Sequence, residues 1–461
     1  MEKKITFVLT IILIFAAQLW AQTEERKGRN PIIIVPGIMG SKLVNPETNE
    51  TVWVKFSAGR TDDLRLPVSP DLAANRDKLV ATEIVDKIRV LKFLPGVSVY
   101  QELLEYLEKK AGYRQANWDI PLSDDDQGTY YVFPYDWRRD NVETAHLLLQ
   151  KIEKLKIKLK KPELKFDIIA HSMGGLVVRY AAMYGLGDLT EKPRPNWTGA
   201  RHFNKIFMLG TPNEGAMSAF DTLVNGYWIE TLGNKVYPEF LRAEVAFTIP
   251  SLFQLLPHGK AAKFYDENLK PLDLDIYDPR NWKKYRWSVI SDEIYLAKLK
   301  KAERVQAEKY LDAALLRARR FHEALDVSTI IPDSLLFYAF GSDCKNTLDG
   351  AIVYFDLDQG KWATLTEGDS FKNIRGEKVG EKLVRQTIFA KGDGSVTKTS
   401  LMAENLARVN GRNLFLSEPL EAGQRIVCEG HTAMPNNKKL QESFMEILSG
   451  SLAKKTVEVN K

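Results

Sequence analysis

Hydrophobic positions along the chain fall into short unbroken apolar runs that alternate with longer stretches of helical spacing. Pro31–Val35 (PIIIV) is apolar at every position and ends in Pro36-Gly37. A run with no polar face belongs to the interior of a parallel sheet. Tyr130–Phe133, Phe166–Ala170, Lys205–Leu209 and Leu335–Phe340 read as further strands, with Arg425–Cys428 a shorter sixth. Helical patterns fill Val142–Lys160, Gly175–Tyr184 and Asn437–Leu448, and Ser98–Lys110 is the one good helix of an earlier stretch. Strands alternating with helices predict the α/β class, a mainly parallel sheet flanked by helices on both faces.

Two segments break the alternation. Residues 41–129 are rich in Pro and Asp clusters, and residues 216–330 are helix-rich and close on the charged segment Glu293–Leu325. Each lies between strands, so both are expected as insertions in one sheet domain built from 30–215 and 331–461. The first follows strand one; the second has the size of a helical cap or lid. Lys151–Lys161 (KIEKLKIKLKK) fits either a helical or an alternating period and is read as a solvated helix face packed by its apolar side.

The N-terminus has a different texture. Lys3 and Lys4 precede the apolar run Ile5–Leu19, and Ala21 is a small residue at a cleavage position. The run is shorter than the roughly 20 residues that span a bilayer as a helix. Residues 1–21 are therefore expected to be a secretory signal peptide. Leu19, larger than the usual residue at its position, leaves an uncleaved anchor as the alternative. The expected product is exported, secreted or periplasmic, and soluble or peripheral to a membrane.

Composition narrows the classes. Of 461 residues 44% are hydrophobic and 27% charged, which excludes a disordered or collagen-like chain. Lys plus Arg number 65 against 60 Asp plus Glu, a net +5 that argues against nucleic acid as a partner. Two cysteines, Cys344 and Cys428, exclude a disulfide scaffold and a structural zinc site built on thiolates. Export makes a Cys344–Cys428 disulfide an expectation, with two free thiols as the other state.

The chemistry concentrates at Ala170-His171-Ser172-Met173-Gly174-Gly175, between the strand KFDII and the helical run GLVVRYAAM. A serine between strand end and helix start sits on a sharp turn that tolerates only small residues two before and two after it, here Ala170 and Gly174. A serine nucleophile needs a base and the base needs an orienting acid, in chain order Ser, acid, His. Of six histidines only His431, in CEGHT, follows a late strand and precedes the last helix. For the acid, Asp393 in KGDGSV is the best candidate and Asp343 its competitor. The oxyanion needs two backbone N–H donors. One is that of Met173, after the nucleophile; the other is that of Ile38, in the PGIMG loop after the first strand.

With these pieces in place the chain resembles the lecithin:cholesterol acyltransferase and phospholipid:diacylglycerol acyltransferase family of α/β-hydrolases. The resemblance rests on PIIIVPGIMGSKL (31–43), FPYDWR (133–138), AHSMGGL (170–176), LGTPNEG (209–215), GDGSV (392–396) and EGH (429–431), in the family's order. It implies an α/β-hydrolase fold with an inserted helical cap, Ser172, Asp393 and His431 as the triad, and oxyanion donors at Ile38 and Met173. It thereby selects Asp393 over Asp343. It implies a lipid acyl ester as donor, and a surface-seeking insertion after strand one, for which Trp53, Phe56 and Leu91–Tyr100 are candidates beside plain buried packing. The chain lacks the cysteine pair the family carries in that insertion. Asp136 and Arg138 are read as a structural pair beneath the site.

The expected reaction is O-acyl transfer through an acyl-Ser172 intermediate to an alcohol or water, with no metal or organic cofactor. A carboxylesterase or triacylglycerol lipase using water alone, a non-catalytic lipid binder on the same scaffold, and an amidase or peptidase are the alternatives.

Overall fold

Ile32, Ile33, Ile34 and Val35 bury every side chain, which requires sheet on both flanks and helices on both faces. The computed structural model describes residues 29–54, 64–88, 97–120, 128–227, 229–231, 234–236, 242–406 and 424–449. The expected leader (1–21), Phe56 and most of Leu91–Tyr100 lie outside them.

Among the described residues seven strands make the central sheet: β1 (Ile32–Val35), β2 (Arg114–Gln115), β3 (Thr129–Val132), β4 (Phe166–His171), β5 (Phe203–Leu209), β6 (Leu336–Ser342) and β7 (Gln424–Val427). Their spatial order is β7-β6-β5-β4-β1-β3-β2, and every neighbouring pair is parallel. The chain leaves β1 toward β3 and β4 toward β5, so the order switches between β1 and β4. A ligand crevice in an open parallel sheet opens at such a switch, beyond the carboxyl ends of the strands. Val35 stands beside Ala170 and Ala170 beside Met208, so these three strands end level there.

Among the described residues six helices have nine residues or more: α1 (Gln101–Lys109), α2 (Asn141–Leu159), α3 (Met173–Tyr184), α4 (Met217–Asn225), α5 (Lys301–Leu325) and α6 (Lys438–Leu448). The register puts Phe207 and Phe340 on one face of the sheet, where Phe444 of α6 packs on both and meets Tyr106 of α1. α2 and α3 pack together on the other face. α3 is buried at all twelve positions, as an apolar helix must be when it is covered on every side. α2 starts where the Asp140 carboxylate accepts the Val142 and Glu143 N–H groups, and it ends at Lys160 in a left-handed conformation. The lysine-rich stretch is helical, but Lys156 is buried, its Nζ 3.3 Å from His202 Nδ1. Among the described residues no helix is long and apolar enough to cross a membrane.

Both insertion boundaries differ from expectation. Residues 41–129 hold a three-stranded antiparallel sheet (Ser41–Asn45, Glu50–Trp53, Val80–Ile84), but β2 within them belongs to the central sheet. Two exposed polar residues carry no apolar signature of an edge strand. The cap does not stop at 330 and is not purely helical. Its short strands Pro271–Leu272 and Phe264–Tyr265 continue a sheet through Ala351–Asp356 and Lys361–Leu365, in the excursion between β6 and β7. Two-residue strands make too few hydrogen bonds to stand alone, and the buried Ala351, Ile352 and Val353 give them a wall.

Candidate active site

The turn from β4 to α3 places Ser172 at φ 54°, ψ −126°, a conformation that costs on the order of 1–3 kcal/mol for a residue with a Cβ. The strain is held by the Ser172 N–H on Leu209 O (2.8 Å) and the Gly175 N–H on Ser172 O (3.0 Å). Ala170 is buried beneath the turn. A Cβ on Gly174 would stand 2.5 Å from Pro36 O, so only glycine lets α3 come this close to the end of β1.

Ser172 Oγ is 2.8 Å from His431 Nε2, and His431 Nδ1 is 2.7 Å from Asp393 Oδ2. The other Asp393 oxygen accepts the N–H groups of Ser395 (2.9 Å) and Val396 (2.7 Å). Burial raises the proton affinity of this carboxyl, but the charge and hydrogen bond of His431 and these two amides outweigh it and hold the group below its ordinary range. The carboxylate is thus charged and fixed where an imidazole needs a partner. Asp343 lies elsewhere, its Oδ2 3.7 Å from Lys398 Nζ. Asp393 does not follow a strand of the main sheet. It follows Phe389–Gly392, which pairs antiparallel with Lys345–Leu348 just beyond β6. The structure joins Cys344 and Cys428 in a disulfide, linking the chain after β6 to the chain after β7, three residues before His431.

The loop after β1 lies against Ser172: a Cβ on Gly37 would be 2.8 Å from Ser172 Cβ. Ile38 faces the cleft beside Ser172. Met173 is the first residue of α3, and a first-turn N–H has no acceptor within its helix. The Met173 N–H thus lies at the positive end of the α3 dipole, next to Ser172.

FPYDWR gains a role the motif alone did not reveal. Tyr135 Oη donates to Pro36 O (2.7 Å), and Trp137 Nε1 donates to Ser41 O (3.2 Å). Trp53 Nε1 donates to Met39 O (2.7 Å), so Trp53 is buried and does not face the surface. Arg138, fully buried, forks onto Asp136 (2.8 and 2.9 Å) and onto Asp77 (2.6 and 2.8 Å). The Asp136–Arg138 pair thus includes a second carboxylate, from the insertion after β1.

Above Ser172 a cleft of about 190 Å³ is walled by Trp53, Trp137, Ile249, Leu252, Leu255 and Tyr227. The last four belong to the cap, which is pinned to the core by Ser251 Oγ on Trp137 O and by Gln254 and Arg317 on Asp140. Two further residues touch the machinery. Gly210, at φ 57°, has its open side against Asp393 and His431; an added Cβ would be 3.0 Å from Asp393 Oδ2 and 3.1 Å from His431 Nδ1. Tyr100, just before α1, reaches His171 and Gly37 from 63 residues beyond the loop. Gly210 sits in LGTPNEG, one of the blocks that carry the family resemblance; Tyr100 carries no motif.

The sequence family described as lecithin:cholesterol acyltransferase matches residues 77–316. Lecithin-cholesterol acyltransferase-like 4 of Arabidopsis thaliana is 28% identical over 222 residues, 43% of this chain and 37% of the relative. An uncharacterized protein of Saccharomyces cerevisiae is 25% identical over 283 residues, 60% of this chain and 35% of that one. The matches thus span little more than a third of either relative. Among solved structures, the Tle4-Tli4 complex matches with a TM-score of 0.54 at 15% identity, over 92% of this chain and 98% of that one, a likeness of fold. The fold is that of the α/β-hydrolases.

Proposed function

The chain belongs to the lecithin:cholesterol acyltransferase family, and from that premise we propose that it transfers acyl groups from lipid esters through Ser172. The observation that carries this reading is the 2.8 Å approach of His431 Nε2 to Ser172 Oγ beneath an apolar cleft.

His431 takes the Ser172 proton as the oxygen attacks the ester carbonyl. The Ile38 and Met173 amides receive the oxyanion, and Asp393 stabilises the imidazolium. The leaving alcohol takes the proton from His431, and an acyl-Ser172 remains. An acceptor alcohol, or water, then gives its proton to His431 and attacks the acyl group, and His431 returns the proton to Ser172 Oγ as the acyl–Ser172 bond breaks. The cleft walls are apolar, which suits an acyl chain. The leader-like residues 1–21 and the Cys344–Cys428 disulfide support export to an oxidising compartment, with contact at a lipid surface.

The test is product analysis by mass spectrometry after incubation with phospholipid vesicles, with and without an added long-chain alcohol. An acylated alcohol establishes transfer, and free fatty acid alone establishes a hydrolase with water as acceptor. Ser172→Ala with normal activity on a p-nitrophenyl acyl ester overturns the mechanism.

A further inference from the structure

The triad leaves one buried titratable group beside it unused. His171 precedes the nucleophile, is buried, and lies with its ring centroid 5.0 Å from that of His431. Its Nε2 is 3.0 Å from the carbonyl oxygen of His431, and its Nδ1 is 2.9 Å from Tyr100 Oη. Tyr100 Oη in turn accepts the Gly37 N–H at 3.0 Å. We propose that Tyr100 and His171 are positioning residues, a tautomer-locked relay that ties the oxyanion loop to the backbone of the catalytic histidine.

The direction of every hydrogen bond follows from the two ends. Gly37 N–H can only donate and His431 C=O can only accept. Tyr100 Oη receives the Gly37 proton, so its own O–H points to the remaining partner, His171 Nδ1. With Nδ1 accepting, neutral His171 carries its proton on Nε2 and donates it to His431 O. Reversal of the tautomer would set a lone pair of Nε2 against the carbonyl oxygen. Neither ring supplies charge. Burial, with the nearby His431 adding to it, lowers His171 to about 3, and burial raises the Tyr100 phenol despite the Gly37 hydrogen bond. A neutral His171 matters because a second imidazolium 5.0 Å away would oppose protonation of His431.

The consequence is geometric. The His431 peptide is held at both ends, its N–H on Asp393 O (2.9 Å) and its C=O on His171. At the other end of the relay Gly37 precedes Ile38, the proposed oxyanion donor. Base and oxyanion loop come from opposite ends of the chain, and the relay connects them through two side chains. Catalytic groups need such support to stay within about 0.5 Å of productive geometry.

This inference rests on the function proposed above, so its test pairs kinetics with a readout independent of activity. His171→Gln keeps a donor near the Nε2 position, and His171→Asn keeps an acceptor near the Nδ1 position. On a p-nitrophenyl ester, His171→Gln is expected to retain about tenfold more kcat than His171→Asn, with KM changed less than about twofold. Tyr100→Phe is expected to lower kcat by about tenfold, again without a matching rise in KM. Equal losses in the Gln and Asn variants that track melting temperature, or full activity in Tyr100→Phe, overturn the relay.

The second readout is the ¹⁵N spectrum of histidine-labelled protein. His171 is expected as the neutral Nε2–H tautomer at pH 6 in the Ser172→Ala protein as well as the native one, and Tyr100→Phe is expected to lose that single state. An Nδ1–H or protonated His171 overturns the proposal whatever the activity shows. Inactivity of the native enzyme on all acyl esters would instead overturn the function and leave this spectrum to decide the relay.

Discussion

His431 and Asp393 are joined twice: Nδ1 to Oδ2 at 2.7 Å, and the His431 N–H to the Asp393 carbonyl at 2.9 Å. The backbone link survives loss of the carboxylate charge, so Asp393→Asn should keep the loop in place while the imidazole loses its anionic partner. The expected result is a fall in kcat/KM of about 10³-fold or more on a p-nitrophenyl ester, with the melting temperature nearly unchanged. A loss under tenfold would show that another carboxylate serves His431.

The disulfide acts on the same loop from outside. Cys344 and Cys428 lie 84 residues apart, and the bridge closes a long loop containing the Asp393 turn. Reduction, or the double change Cys344→Ser with Cys428→Ser, should remove on the order of 2–4 kcal/mol of stability. Activity should fall before global unfolding, because Glu429–His431 hang directly on Cys428; the Glu429 N–H on Ser342 Oγ (3.2 Å) is the next tie in that loop. Urea titrations followed in parallel by esterase rate and tryptophan emission would separate the two midpoints. Coincident midpoints would remove the local role.

The parts of this architecture legible in the sequence are those where one physical demand acts on consecutive residues. A strand covered on both faces is apolar throughout, and β1 reads that way. The elbow shows itself because Ala170 and Gly174 must be small within a few residues of Ser172. What stayed hidden depends on partners far along the chain. Arg114-Gln115 form the edge of the central sheet without any apolar signal. The ribbon carrying Asp393 pairs Lys345–Leu348 with Phe389–Gly392, so the acid loop is placed by a contact between distant segments that no periodicity records. Tyr100 is an ordinary buried aromatic until His171 and Gly37 are seen around it. The cap boundary was obscured for the same reason, since strands on either side of β6 complete each other.

Acid should destabilise the fold before it titrates most carboxylates. His171, His202 and His322 are buried. Burial lowers His171 to about 3, burial with Lys156 lowers His202 to about 4, and burial with His258 and Arg179 drives His322 well below its ordinary value. The unfolded chain takes up these protons near pH 6.5 while the folded chain refuses them, so the stability they carry is complete above that pH and is lost as pH falls. Each group contributes a slope of at most about 1.4 kcal/mol per pH unit in that window. Asp167, Glu214 and Asp349, whose carboxyls are raised chiefly by burial, act in the opposite sense at lower pH. Urea unfolding at pH 7 and pH 5 checks the sign: stability should be lower at pH 5. Equal stability at the two values would mean these rings are protonated in the native state or reached by water.

Gly210 offers the most selective perturbation of the proposed triad. Its φ of 57° disfavours any side chain, and an alanine methyl would arrive 3.0 Å from Asp393 Oδ2 and 3.1 Å from His431 Nδ1. Those two atoms are the partners of the 2.7 Å hydrogen bond, so the methyl wedges against the bond itself. The backbone must also hold a left-handed alanine, a cost of about 1 kcal/mol that is small beside the stability of a domain. Gly210→Ala should therefore lower kcat by about 10- to 100-fold while the melting temperature falls only a few degrees. Reaction with a fluorophosphonate, which reports the nucleophilicity of Ser172 without an acceptor step, should slow by the same factor. A normal labelling rate with reduced turnover would place the damage in deacylation and not in the His431–Asp393 pair.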